Sequence, residues 1–489
     1  MSSLLTNTSA MVALQTLKTI NTDLGKTQSE ISTGKSVATS KDNSAIFAIS
    51  KVMESDVAGF KAISDSLSLG ESAVSLARQA TETVTDLLTD IKGKVVASQA
   101  ENVDRSKIQT DISALRDQIT SIVGAAQFNG MNLLQGTKDV NILSSLDRSS
   151  DGSVNASNIT VNRQDLSSSA GSYGTGTSLT PNATSSAATI SATGNTSDLT
   201  IAAAADVSGD TFDITIAGTS VSVTGLTGNQ DAAATAISAA INALGLEGIS
   251  ASSATDTVTI SSARAFEDVG VAATSGGTSV TVSDATIGER AENVTFSTSA
   301  NVNEGDGYKV TVGTDEFTYV AGKGENFEDV AKGLKTAIDA GGLAGITTEV
   351  AIGSSGEAIL KVDNSGADVA LASAGAAGGD ASGGLFGLDG IDVTTNQGAD
   401  AALANIEVLI ESSIDAAASF GSSQSRIETQ NSFVSKLTDS LKAGIGSLVD
   451  ANMEETSARL QALQVQQQLG VQALSIANQA PQSLLSLFR

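Results

Sequence analysis

Apolar residues at alternating steps of three and four recur along both ends of this chain. No other feature restricts its fold as strongly, because that spacing is the seam of a helix packed lengthwise on another. Near the beginning the seam runs Leu14, Leu17, Asn21, Leu24, Gln28, Ile31; a longer one runs Phe60, Ile63, Leu67, Gly70, Val74, Ala77, Thr81, Val84, Leu88, Ile91, Val95. A shorter helix is predicted over Ile108, Ile112, Leu115, Ile119 and Ile122. Towards the end the seam runs from Leu403 through Ile406, Ile410, Ser413, Ala417, Phe420, Gln424, Ile427, Asn431, Val434, Thr438, Leu441 and Ile445 to Leu448 without a missed step. It then slips by one residue and resumes as Met453, Thr456, Leu460, Leu463, Gln467, Gly470, Leu474 and Ala477, and a comparable slip separates Ile31 from Phe60. Matching breaks predict an inner and an outer helical segment at each end, and pairing of the two ends. A plain helical bundle would show shorter runs.

The outermost seams carry Gln, Asn, Thr and Gly where Leu or Ile would pack best. A lone pair of such helices should be weak in water, so we expect it to order when several copies associate. Leu484, Leu485, Leu487 and Phe488 need a surface to cover.

Between the helical ends, over 166–397, the pattern changes. The stretch "SSSAGSYGTGTSLTPNATSSAATISATGNTS" reads as a small, polar connection. After it, "TFDITIAGTSVSVTG", "TDTVTISSA", "TSVTVSD", "YKVTVGTDEFTYVAG" and "AILKVDN" alternate as half-buried strands do. Two stretches, about 207–265 and 304–364, share one plan of hairpin, helix, Gly-Ile turn and closing hairpin, which predicts a duplicated ββαββ-like module. Most of the net charge of -27 lies in this middle, as expected of an exposed, solvating surface.

The residues available for chemistry are few. With no Cys and no His, disulfides, thiolate or imidazole metal sites and the commonest general base are absent. The Gly-Gly pairs lack the Lys-Ser/Thr and strand-to-helix setting of a phosphate loop, and the acidic pairs Glu304/Asp306 and Asp315/Glu316 lack the ligand series of a calcium loop. We therefore expect no catalytic, cofactor or metal residues. The acidic charge argues against nucleic acid and anionic membrane as partners, no stretch has the length of an apolar membrane span, and the opening residues lack the pattern of a Sec-type signal peptide.

At its two ends the chain resembles the bacterial flagellins. The likeness covers about 140 residues at the beginning, with "LLTNTSAMVALQTLKTINTDLGKTQSEISTGKSVATSKDNSAIFAIS" and "AAQFNGMNLLQG", and about 90 at the end, closing on "ANQAPQSLLSLFR". The middle modules are similar to a repeat with an Ile-Asn centre, here Ile241-Asn242 and, as a variant, Ile338-Asp339. The resemblance implies an α+β protein, secreted unfolded and polymerised outside the cell into the flagellar filament that drives swimming. Its helical ends would form a long antiparallel coiled coil or bundle.

Residues 1–38 with 449–489 would then form the filament core, 39–165 with 398–448 a helical shaft bearing a β-hairpin, and 166–397 the variable surface. Expected core-packing residues are Leu14, Leu17, Leu24, Ile31, Leu460, Leu463, Leu474, Leu484, Leu487 and Phe488. Expected shaft residues are Phe60, Ile63, Leu67, Val74, Val84, Leu88, Ile91, Ile406, Ile410, Phe420, Ile427, Val434 and Leu441. The implied partners are further copies of the chain, hook-filament junction and cap proteins, the flagellar export apparatus and a flagellin chaperone. Innate immune receptors would read segments corresponding to Ser29–Ser50 and Leu88–Ser98. There Asn43, Ile46-Phe47 and "LTDIKGKVVAS" depart from the strongly recognised pattern, which predicts weak recognition. A junction protein made in few copies, or a hydrolase carried on a similar shaft, are the alternatives; the "ANQAPQSLLSLFR" ending and the lack of His and Cys weigh against them.

Overall fold

The structure, a computed structural model, describes residues 7–148 and 153–485. It is an α+β arrangement in which helices make up both ends of the chain and strands most of the sequence between them. The chain divides into two compact units, Met1–Ser72 with Asn141–Val161 and Ser423–Arg489, and Ala73–Val140 with Asn162–Ser422.

In the first unit, α1 (Thr8–Thr33) starts where the Asn7 side chain accepts a hydrogen bond from the Ala10 amide, satisfying one of the helix's free N–H groups. The next helix, α2 (Ser44–Ser98), is capped in the same way by Asn43, whose side-chain oxygen accepts from the amides of Ala45 and Ile46. In the break between them the Asp42 carboxylate accepts from the Thr39 amide and hydroxyl and from the Ala38 amide; these bonds, led by the Thr39 amide, hold its pKa below the usual carboxylate range.

On the other side of the unit α6 (Asn396–Val449) gives way to α7 (Met453–Leu485). The Ser36 amide donates to the Val449 carbonyl and the Ala451 amide to the Gly34 carbonyl, so the two breaks in the seams lie side by side. Within this unit Ile63 and Leu67 of α2 and Ile427 and Val434 of α6 are buried, and the Ser64 hydroxyl donates to Asn431 Oδ1 at 2.9 Å. A hairpin of β3 (Val140–Arg148) and β4 (Val154–Val161) packs here; Gln430 Nε2 donates to the Ser144 carbonyl. Gly70 is required, since a Cβ there would collide with the Ile142 side chain.

The second unit holds the remainder of α2 and α6, then α3 (Arg105–Ala125) and a small pair, β1 (Gln127–Phe128) with β2 (Met131–Asn132). Thr85 meets Ser413 at 2.8 Å, Lys92 pairs with Glu407, and Gln99 Nε2 donates to Asp400; the partners descend as α2 advances, so the helices run antiparallel. Val74, Val84, Leu88, Ile91, Ile406 and Phe420 are buried between them and their neighbours.

Two β-structures complete this unit. The chain makes β5 (Ala183–Ser185) and β6 (Thr189–Ile190), then β7 (Asn195–Ile201), β8 (Thr211–Ile216), β9 (Thr219–Val223), α4 (Gln230–Ala243), β10 (Ile249–Ala254), β11 (Thr257–Ser262), β12 (Val269–Gly276), β13 (Val280–Val282) and β14 (Thr286–Ile287). It continues with β15 (Glu292–Phe296), β16 (Gly307–Val312), β17 (Asp315–Val320), α5 (Phe327–Ala340), β18 (Ile346–Ile352), β19 (Ala358–Asn364) and β20 (Val369–Ala376). The first body has sheets ordered β10-β11-β7-β13 and β14-β12-β8-β9, sharing with α4 one core that includes Leu199, Phe212, Ile214, Ile237, Ile241 and Ile260. The second repeats the plan as β18-β19-β15-β5 and β17-β16-β20-β6, with α5, around Phe296, Tyr308, Phe327 and Leu360.

The second body therefore takes its edge strands β5 and β6 from ahead of the first, out of the stretch that reads as a polar connection. These short strands form because β15 and β20 supply their ladder partners, Thr184 opposite Thr295 and Thr189 opposite Ala370. The first body is an excursion of the chain between β6 and β15. Asn195 Nδ2 clasps its entry to its exit, donating to the carbonyls of Gly288 at 3.1 Å and Glu289 at 2.7 Å. Arg290 then forms a bidentate pair with Asp363 of β19, at 2.8 and 2.7 Å, and Lys361 pairs with Glu289 beside it.

Candidate assembly surface

The amphipathic seams bring α1 and α7 together as an antiparallel pair in the first unit. Its register is marked by polar bonds: Asn7 Nδ2 donates to the Ala477 carbonyl at 2.8 Å and Gln467 Nε2 to Asn21 Oδ1 at 2.6 Å. Between them Gly470 lets α1 approach closely, for a Cβ there would stand 3.2 Å from Leu17 Cδ1. Thr27, beside the exposed seam residue Gln28, and the seam residue Thr456 are buried, each donating its hydroxyl to the carbonyl four residues earlier, of Asp23 and Asn452.

The expected core-packing residues fall into three groups. Leu463 is buried, whereas Leu17, Leu24, Ile31, Leu460 and Leu474 are half-buried along the pair. Leu14 faces outward, 57% exposed. Leu484 belongs to the last turns of α7, with nothing described of its side chain; Leu487 and Phe488 lie outside the described residues. Of the expected shaft residues, Phe60, Ile410 and Leu441 are half-buried and the other ten buried.

Seam counting missed a second set of apolar side chains, which the pairing of α1 with α7 leaves uncovered. Met11 and Val12 of α1, with Val465, Leu469, Val471 and Ile476 of α7, are all more than half exposed, Ile476 to 68%. Their signal lies in apolar residues off the seam: both helices carry more apolar positions than one partner can cover. Covering such half-exposed side chains would gain on the order of 1 kcal/mol each, so these are surfaces that gain by being covered.

Several ionisable groups of the second unit are engaged with one another. Glu325 accepts from the Tyr319 hydroxyl at 2.9 Å and the Gly322 amide at 2.9 Å, and Lys332 joins Glu328 to Glu411. Burial raises the pKa of Glu325, of Asp329 and of the Tyr319 phenol. Among the described residues no group of three or more acidic, His or Cys side chains is placed to hold a metal ion, and no helix is long and apolar enough to cross a membrane.

Fold and surface together describe a structural protein whose helical ends pair and whose middle is a β-rich insertion in the sequence. Residues 4–139 match the bacterial flagellin N-terminal helical region and residues 403–488 the bacterial flagellin C-terminal helical region. Over the whole chain the sequence is 32% identical to flagellin A of Rhizobium meliloti, across 494 residues covering 100% of both proteins. It is 26% identical to a flagellin of Brucella melitensis, again over 100% of both. The chain belongs to the bacterial flagellins, structural proteins of the extracellular flagellar filament. Among solved structures it is similar to flagellar hook-associated protein-3 of Legionella pneumophila (10% identity, 81% of this chain and 98% of that one, TM-score 0.33) and to FlgL of Xanthomonas campestris (14%, 81% and 98%, 0.29). Overlap at that level carries no argument about role.

Proposed function

We propose that this chain is the repeating subunit of the swimming filament, exported unfolded and added to the growing tip. In this reading α1 and α7 line the filament core, α2 and α6 form an antiparallel coiled-coil shaft, and the two β-bodies, duplicated ββαββ-like modules with added strands, face outward. The observation that carries it is the set of exposed apolar side chains that α1 and α7 leave outside their own pairing. Neighbouring copies cover them in a heterologous contact that repeats without closing, which generates a helical polymer. Association pays for ordering these helices only when nearly all of them are covered, so partial assemblies are unstable.

The reading includes further partners: hook-filament junction and cap proteins at the two ends of the polymer, and the export apparatus with a chaperone before assembly. Weak recognition by innate immune receptors also belongs to it. Asn43 caps α2, Ile46 and Phe47 are half-buried in its first turn, and Leu88, Ile91, Val95 and Ser98 point inward.

Electron microscopy of the purified protein, with and without filament seeds, tests the proposal against a chain truncated at Asp450. Long helical tubes from the full chain, absent after truncation, are expected. Monomers or short caps from the full chain would refute the filament reading in favour of a junction protein.

A further inference from the structure

The two β-bodies present the same edge to their surroundings and protect it differently. In each, the strand following the helix, β10 or β18, is the outermost of its sheet. An outermost strand offers a row of unpaired N–H and C=O groups on which another strand can dock. Along β18 this edge is charged and covered: Glu349 sits within the strand, and Gln397 Nε2, from the start of α6, donates to the carbonyl of Ile346 at 2.8 Å. The strand β10, "ISASSA", has neither charge nor proline.

What β10 has is Asn242, in the last turn of α4. Its Nδ2 donates to the Ala251 carbonyl at 2.8 Å, and its Oδ1 accepts from the Ala251 amide at 2.8 Å. The carboxamide thus exchanges both bonds with one residue, as a residue of an added antiparallel strand would. The corresponding residue of the second body, Asp339, accepts from the hydroxyl of Thr348 and pairs with Lys335; a carboxylate has no hydrogen to give a strand carbonyl. An amide is used where the fold leaves the edge open, and an acid where Gln397 of α6 already takes the first carbonyl of the strand.

We propose that Asn242 guards the edge of β10 against pairing with β10 of a second copy of the chain. The strand suits such a partner. An antiparallel pair centred on Ala251 brings Ser and Ala side chains together with no like-charge repulsion, which Glu349 would impose on a β18 pair. The filament reading explains why copies come close, but the guard itself is a property of the single chain. This gives the Ile-Asn centre of the module a division of labour: Ile241 fills the core and Asn242 closes the edge.

Asn242→Leu, in the full chain and without seeds, tests this by amide exchange and sedimentation. In dilute solution the Ala251 amide is expected to exchange about tenfold faster than in the unaltered protein, as loss of one hydrogen bond predicts. With rising concentration the variant, and not the parent, should dimerise, and exchange at Ala251 and Ser253 should slow while α1 and α7 stay unchanged. Adding Ala251→Pro, which removes the outward N–H, should restore the monomer. Unchanged exchange at Ala251, or dimers that survive the proline, overturns the proposal; so does a variant that stays monomeric at every concentration. Should Asn242→Leu fail to fold, Asn242→Ala decides, because it removes both bonds to Ala251 without adding bulk or charge: faster exchange at Ala251 and dimers at high concentration support the guard, and parental behaviour refutes it. Failure of filament growth in the parent would leave these outcomes untouched.

Discussion

Replacing Arg290 by Met should destabilise the second β-body by about 3 to 5 kcal/mol, the cost of stranding a buried charge. The size follows from exposure. A surface ion pair contributes about 0 to 1 kcal/mol, but here the Arg290 side chain is 13% exposed and that of Asp363 only 3%. Without the guanidinium, the Asp363 carboxylate keeps a single long bond from the Thr347 hydroxyl, at 3.5 Å. Removing the acid as well takes away the stranded charge, so Arg290→Met with Asp363→Leu should recover most of the loss, and can exceed the parent by about 1 to 4 kcal/mol. Urea unfolding followed by tyrosine fluorescence measures this, because there is no Trp and two of the three Tyr, Tyr308 and Tyr319, lie in that body. A loss below about 1 kcal/mol for the single change, or a double change no better than it, would show that burial does not govern this pair.

Phe420→Ala, at a fully buried site on α6, should cost about 3 to 5 kcal/mol in the second unit by the same unfolding measurement. Leu474→Asp should abolish seeded filament growth while leaving tyrosine-monitored unfolding of the β-bodies unchanged; filaments of normal length would refute the role given to α7. Glu325 has its pKa raised by burial, so the folded state binds its proton more tightly than the unfolded chain. Its contribution opposes folding above that raised pKa and fades as the pH falls towards the ordinary carboxylate range. The melting temperature of the parent relative to Glu325→Gln should therefore fall as pH rises through that window, and a difference independent of pH would contradict the assignment.

The long helices were legible because Ile63, Leu67, Val74, Val84, Leu88 and Ile91 each repeat a local spacing that burial requires. The breaks were legible too, since a one-residue slip marks where a seam must restart. The outward apolar side chains were not, because Val465, Leu469 and Ile476 look like spare hydrophobics until the partner helix is seen to cover the other side. Among the strands, "TFDITI" and "YKVTV" alternate clearly, whereas β20, "VALASAGA", has Ala and Gly where alternation would show, and β5 and β6 are two or three residues long. Such strands are specified by distant partners rather than by their own residues. The Ile-Asn pair could be seen in the sequence, but that Asn242 bonds the strand residue nine positions ahead could not.

The excursion of the chain between β6 and β15 also dictates an order of events. Thr184 and Thr295 are neighbours in one sheet yet roughly 110 residues apart in the chain, so joining them directly means closing a long, floppy loop. Once the first body has folded, the Asn195 clasp holds its two ends together and the effective loop shrinks to about twenty residues, which lowers the closure cost by on the order of 1.5 kcal/mol. The body farthest along the excursion is thus expected to form first and to template the one that encloses it. Damage there should be felt as slow maturation of its neighbour, even where the finished structure shows no defect.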